Sequence, residues 1–371
     1  MRRGAWGAII VGAIVVVVWL SMRSKAPPSD GSSTTTSAPA DAPTVTSGGG
    51  ASGASNASKG SSASSGITVA PSASTKPNDV FARAKWGTGR DELGRSRQAE
   101  GNAEAPMSVV VDGDGNVVVL DQVNGRLVRR DRDGNVLGTL PIAQRAPQDV
   151  ASAKDGSLVV LDRLGDKSIS IVGADGSVKS LPLEGKGISE GGAVTGVFVD
   201  GKDVYVEREH QQLVRIGDTS GRADDARREI PGRPTRDGLS YLNAWIQPEG
   251  DSFFVTSTAR EPQEHRFTRQ VQVPFVVRGL LLLDSDRAGI VYVAVFGATP
   301  SASNPDGDPI VELVCLEPTH GAPIGAVTLP ANTMPEETFR ELAVLDEGGA
   351  IYLLRTEAGV TMMRADCRGG G

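Results

Sequence analysis

Between Pro106 and Gly176 one pattern is written twice, and it constrains the fold more than any other feature of the chain. The first copy reads Pro106, then Asp114-Gly115-Asn116-Val117-Val118-Val119-Leu120-Asp121, then Asp133-Gly134. The second reads Pro147, then Asp155-Gly156-Ser157-Leu158-Val159-Val160-Leu161-Asp162, then Asp175-Gly176. The first three landmarks recur after 41 residues and the last after 42. A period near forty made of short strands and tight turns is that of a β-propeller blade. Asp-Gly between apolar runs places a hairpin, because Gly takes positive φ with no Cβ to clash. The runs 117–120 and 158–161 are apolar without alternation, which suits strands buried on both faces. Asp121 and Asp162 end those runs and can accept hydrogen bonds from amides of the turn that follows. One such sheet has two apolar faces and covers neither, whereas like sheets stacked around an axis cover both.

The rhythm continues along the chain, so an all-β propeller is expected over residues 79–371. Blades are placed at about 105–143 and 146–184, a third begins near Val194, and a charged loop over 218–236 follows it. A fourth, irregular blade is placed at about 240–285, with a polar insertion at 257–269 and an alternating run over 271–283. A fifth falls at about 286–330 and a sixth at about 336–367. The last candidate supplies three strands, and residues 80–86 supply a spare one before the first repeat. Pairing of 80–86 beside 360–364 would close the ring. Six blades are expected, or seven if 218–285 hides another.

The first copy carries more than a period. Lys85-Trp86-Gly87-Thr88-Gly89, Ala105-Pro106, Val111-Asp112, the run from Asp114 to Asp121, Asn124-Gly125-Arg126-Leu127 and Asp133-Gly134 together resemble an NHL repeat. The resemblance covers residues 84–140, weakens over 146–183 where Asn-x-Arg is lost, and beyond that is one of rhythm. It implies a propeller, often six-bladed, that most often presents a binding surface and carries no single conserved chemistry.

Ahead of the repeats, residues 1–25 read as a membrane anchor. Arg2 and Arg3 precede an uncharged, largely apolar stretch over 5–20, and Arg23 and Lys25 close it. That is the short end of a spanning helix, and a cleaved signal peptide is the alternative. A short basic tail before one span favours a cytoplasmic N-terminus, which puts the folded part in a periplasm or on a cell surface. Residues 26–78 are almost wholly Ser, Thr, Ala, Pro and Gly, a disordered linker with a reach of roughly 40 Å. Residues 1–79 hold six Lys/Arg and three Asp against a formal charge of −7 for the whole chain, so the remainder is acidic. Acidity argues against nucleic acid, which rewards clustered Lys and Arg. The expected partner is a protein, peptide or polysaccharide of the cell envelope.

Candidate sites are few. Cys315 and Cys367 are the only two cysteines; they can pair outside the membrane, or Cys315 can sit as a small buried residue within its apolar run. His210, His265 and His320 are spaced by 55 twice, out of step with the repeat, and read as solvated rather than as metal ligands. Asp112-Gly113-Asp114-Gly115-Asn116 lacks the Gly and Glu of a calcium loop, with Val117 and Val123 at those positions. With no Gly-x-Ser-x-Gly, HExxH or phosphate-binding loop, no cofactor is expected. Glu264, His265, Arg266, Phe267 and Arg269 fall in the polar insertion and are the candidate binding loop, since surplus loops decorate one propeller face. The functional expectation is a tethered binding or scaffold module. The alternative is a propeller hydrolase or lyase with its site in the axial funnel.

Overall fold

The two repeated runs become the second strands of neighbouring four-stranded antiparallel sheets. In this computed structural model, residues 67–68, 79–300 and 303–368 are described, all within the unit Ser64–Gly371. The anchor expected over 1–25 and, apart from Ile67–Thr68, the linker over 26–78 lie outside the described residues. Six sheets form six blades. Blade 1 is Ser108–Val111, Val117–Asp121, Arg126–Arg130 and Val136–Pro141; blade 2 is Asp149–Ser152, Leu158–Asp162, Ser168–Val172 and Val178–Pro182. Blade 3 is Val194–Asp200, Asp203–Arg208, Leu213–Asp218 and the short Glu229–Ile230. Blade 4 is Arg233–Pro234, Ser240–Ile246, Ser252–Ala259 and His265–Gln272; blade 5 is Val276–Ser285, Val291–Thr299, Asp308–Leu316 and Pro323–Pro330. Blade 6 takes Leu342–Val344, Ala350–Thr356 and Gly359–Ala365 from the C-terminal end and Asp79–Lys85 from the other. Val80 stands opposite Met363 and Ala84 opposite Val360, so the ring closes by the expected strand exchange.

Two sequence boundaries move. Blade 4 opens at Arg233, and the segment 257–269, expected as an insertion, is the end of one strand, a turn over 260–264 and the start of the outer strand. The run 271–283 is no single strand. It breaks at Val273-Pro274-Phe275, where Pro274 has no N–H for a ladder, and blade 5 starts at Val276 instead of 286. The region 218–285 therefore holds no seventh blade.

Buried runs serve two seams at once. Val117 and Val119 point into the cluster between blades 6 and 1, while Val118 and Leu120 point into the cluster between 1 and 2. Val159 and Leu161 face blade 3, and Leu158 and Val160 face blade 1. This is the period-2 alternation of a strand, hidden in the sequence because both faces are dry. Apolar clusters fill the seams 1|2, 2|3, 4|5, 5|6 and 6|1. Among the described residues none spans blades 3 and 4. There Arg233 holds Glu207 through two hydrogen bonds, at 2.7 and 2.9 Å, and Arg260 reaches Asp200 at 2.8 Å. Burial alone would raise the Glu207 pKa, but the Arg233 guanidinium prevails and holds it well below the usual carboxylate range.

Asp121, Asn124 and Arg126, three of the residues that resemble an NHL repeat, form one network. The Asp121 carboxylate accepts from the Gly94 amide, Asn124 Nδ2 and Arg126 Nε, each at 2.8 Å. Asn124 also donates to Gly87 O, and Arg126 to the carbonyls of Thr88, Gly89 and Glu92. The motif thus stitches the Trp86–Glu92 crossover onto blade 1. Blade 2 lacks Asn-x-Arg, and Asp162 does the reduced job alone, accepting from the amides of Ala146, Leu164 and Gly165.

Candidate functional site

In every blade the innermost strand ends in a turn at the same mouth of the axial channel. These turns surround an open cavity of about 670 Å³. Its walls are the strand ends Val110, Val111, Ala151, Ala153, Val197, Val199 and Pro234, and its mouth carries Lys154, Asp200, Asp237, Arg287 and Asp346. A second, narrower cavity of about 110 Å³ lies further along the axis, against Thr195, His210, Arg233 and Phe339. Val110, Phe198, Arg236, Asp284 and Arg340 line both and so form the partition between them.

The partition is built from paired charge and one aromatic ring. The guanidinium groups of Arg233 and Arg340 stand 4.9 and 5.1 Å from the Phe198 centroid, within the range of a cation–π contact. Arg340 donates to Asp149 Oδ2 at 2.7 Å, and the fully buried Asp149 also accepts from Ser108 Oγ and the Val197 amide. Arg236 links three blades, donating to Asp284 at 2.7 Å and to Asp346 at 2.8 Å. Burial would lower the Arg236 pKa; Asp284 and Asp346 more than offset it and hold the group above its ordinary value. Arg287 shares Asp346. At the mouth Asp237 accepts from Thr235 Oγ1 and the Leu239 amide, while Lys154 is exposed and, among the described residues, has no acidic partner within ion-pair distance.

Residues singled out in the sequence fall elsewhere. Glu264, His265, Arg266, Phe267 and Arg269 do not make up a surplus loop on one face; Glu264 ends the short turn before the outer strand of blade 4, and from His265 onward they lie on that strand. Strand alternation turns Phe267 into the core between blades 4 and 5, and Arg269 donates to His320 O at 2.7 Å. His210 sits at the narrow cavity with Nδ1 3.4 Å from Glu207, His265 Nε2 is 2.9 Å from Thr268 Oγ1, and His320 lies by Glu317. Among the described residues no His/Cys/Asp/Glu group is arranged to hold a metal. Asp112 caps its own turn through the amides of Asp114 and Asn116 and accepts from Arg129 at 2.7 Å, so an arginine stands where a calcium loop would place its ion. Cys315 and Cys367, both fully buried, form a disulfide with Cα atoms 5.5 Å apart. Cys315 lies on the third strand of blade 5 and Cys367 just past the third strand of blade 6.

The funnel residues themselves went unread. Val111-Asp112, Val199-Asp200, Leu283-Asp284 and Leu345-Asp346 repeat one signal, an apolar strand ending in Asp at the mouth. Leu120-Asp121 and Leu161-Asp162 repeat it at the opposite end of a blade, so the signal alone cannot separate the two faces. No protein-family model and no curated protein matches the chain. Solved structures with a similar fold include a Kuenenia stuttgartiensis hydrazine synthase, 13% identical over 73% of this chain and 90% of that one, with a TM-score of 0.45. A streptogramin B lyase is 9% identical over 73% and 97%, with a TM-score of 0.39. A mitotic checkpoint complex is 12% identical over 80% and 96%, with a TM-score of 0.44. At such distances none of their activities passes to this chain.

Proposed function

We propose that this chain is a binding or scaffold module of the cell envelope, an NHL-like propeller that recognises its partner in the axial funnel. The funnel carries the reading. It is wide, open at one end, floored by a partition held by ion pairs, and walled by strand ends that cannot move independently. Such a site is preorganised, which lowers the ordering cost of binding. General acid–base chemistry needs a group free to take or give a proton. Four of the five lining carboxylates, Asp112, Asp200, Asp284 and Asp346, are each engaged by an arginine instead, and the fifth, Asp237, caps its own turn through Thr235 and Leu239, which supports recognition over turnover. The partner is a protein, peptide or polysaccharide outside the membrane, with residues 1–25 as anchor and 26–78 as tether. A buried Cys315–Cys367 bridge supports that location, since disulfides persist in oxidising compartments.

A photo-crosslinking side chain at Lys154 should capture an envelope component in intact cells, while the same group at Ser177, on a peripheral turn, should not. Equal capture from both positions refutes the funnel as the recognition surface. A phosphatase fused after Gly371 should be active outside the membrane, and protection of the propeller from protease in spheroplasts would overturn the topology.

A further inference from the structure

Blade 4 carries a strand that does not belong to the ring. Ile67–Thr68 pairs in parallel with the end of His265–Gln272, Ile67 opposite Val271 and Thr68 opposite Gln272. The pairing makes this sheet five-stranded where the other five have four, and every other ladder in blade 4 is antiparallel.

An outer strand turns one row of N–H and C=O groups toward solvent, a ready template for another chain. The blades treat that edge differently. The outer strand of blade 1 contains Gly138 and ends in Pro141, that of blade 2 ends in Pro182, and that of blade 3 has two residues. The outer strand of blade 5 begins and ends in proline and contains Gly325. On blade 6 the turn at Gly134 backs onto the closing strand so closely that a Cβ there would lie 2.5 Å from Phe81 O. His265–Gln272 has none of these guards. It runs eight residues without Gly or Pro, with Phe267 and Val271 buried and His265, Arg266 and Thr268 exposed. It is the most complete strand-addition template on the ring.

The tether is suited to that template at one point. Within 26–78 the aliphatic side chains larger than Ala are Val45, Ile67 and Val69. Of these, Ile67 falls in the segment that pairs with blade 4.

We propose that the outer edge of blade 4 is a strand-addition site occupied in cis by Ile67–Thr68, which clamps the tether to the ring at blade 4. The clamp does two things. It covers the Val271–Gln272 end of the edge most open to a foreign strand. On the proposed reading of residues 1–25 as anchor and 26–78 as tether, on which this effect rests, it also moves the point of attachment away from Asp79–Lys85, so tension reaches blade 4 before it can peel the closing strand from Gly359–Ala365.

The test is hydrogen–deuterium exchange on the full chain in detergent, wild type against Ile67→Pro/Thr68→Pro. Proline removes the amide hydrogens that the ladder needs. At least roughly tenfold faster exchange is expected at the Gln272 amide, which faces the added strand, a change of about 1.4 kcal/mol in local opening, with the other five outer strands unchanged. An Ile67→Gly/Thr68→Gly variant, which keeps its amides, should show an intermediate rise and guards against a folding defect of the proline variant. Equal exchange in wild type and both variants overturns the clamp. Protection that vanishes on dilution overturns it too, because the added strand then comes from a second copy.

Discussion

Replacing Glu207 with Gln tests whether charge, in place of apolar packing, joins blades 3 and 4. Glu207 is 3% exposed and accepts from Arg233 Nε and Nη2 and from Thr195 Oγ1. Gln keeps the shape of the side chain and leaves the Arg233 guanidinium buried without its counter-charge. Removing one member of a buried pair costs about 3–5 kcal/mol. At about 2–4 °C per kcal/mol for large domains, the melting temperature should fall by roughly 6–20 °C. Exchanging both members for apolar residues, Glu207→Leu with Arg233→Met, should recover most of that loss, because neither charge is then stranded. The pH dependence has a definite sign. The folded pKa of Glu207 is depressed, so its contribution is complete above the unfolded value of about 4.3 and drains away as pH falls through the folded value. The gap between wild type and E207Q should therefore be flat from neutral pH down to about pH 5 and narrow in more acid solution. Circular dichroism melts give the stability, and the fluorescence of Trp245, 46% exposed on the same side of blade 4 as Tyr241, reports the seam. A variant that melts within about 2 °C of wild type, with a gap that does not change in acid, would show that the seam is held by something else.

Three further outcomes follow from the same contacts. Cys315→Ser opens a bridge that spans a sequence separation of 52 and should cost about 4 kcal/mol on the loop-entropy model; two titratable thiols in chain isolated under non-reducing conditions would show that the bridge does not form. Arg126→Ala removes the donors to Asp121 and to the carbonyls of Thr88, Gly89 and Glu92 and should cost about 1.5–3 kcal/mol; exchange should quicken over 87–93, and an unchanged rate would make the network dispensable. Gly134→Val forces a Cβ to within 2.5 Å of Phe81 O at a φ of +88°, so exchange should rise first in Asp79–Lys85, and a rise confined to the 131–135 turn would refute the coupling.

The ring was legible because its signals are local. Val117–Asp121 and Leu158–Asp162 are buried throughout, as unbroken apolar runs demand, and Asp-Gly fixed the turns at Gly115, Gly134, Gly156 and Gly176, all near φ +80° to +88°. Blade 4 was misplaced where the local signal was ambiguous. Arg266 and Thr268 look like loop residues, yet they alternate with Phe267 and Val271 because one face of that sheet looks toward the polar seam, while Ser257 and Arg269 share the Phe267 face. The funnel was the least legible part. Arg236 meets Asp284 and Asp346 across sequence separations of 48 and 110, and nothing in the neighbourhood of any one of them shows the other two.

For the recognition surface proposed in the funnel, the polar seam between blades 3 and 4 has a physical consequence. Apolar seams are redundant, since each contains many interchangeable valines and leucines, and a single substitution costs one cavity. The seam between blades 3 and 4 rests instead on Arg233–Glu207 and Arg260–Asp200, and Asp200 also lines the funnel mouth. A ligand group that competes for Asp200 therefore draws on the contacts that keep the ring shut at its one polar joint. Binding in the funnel and opening of that seam are then coupled by a shared carboxylate. A ligand that leaves the Asp200–Arg260 pair intact would bind without moving blades 3 and 4, whereas one that displaces Arg260 would weaken the ring it enters.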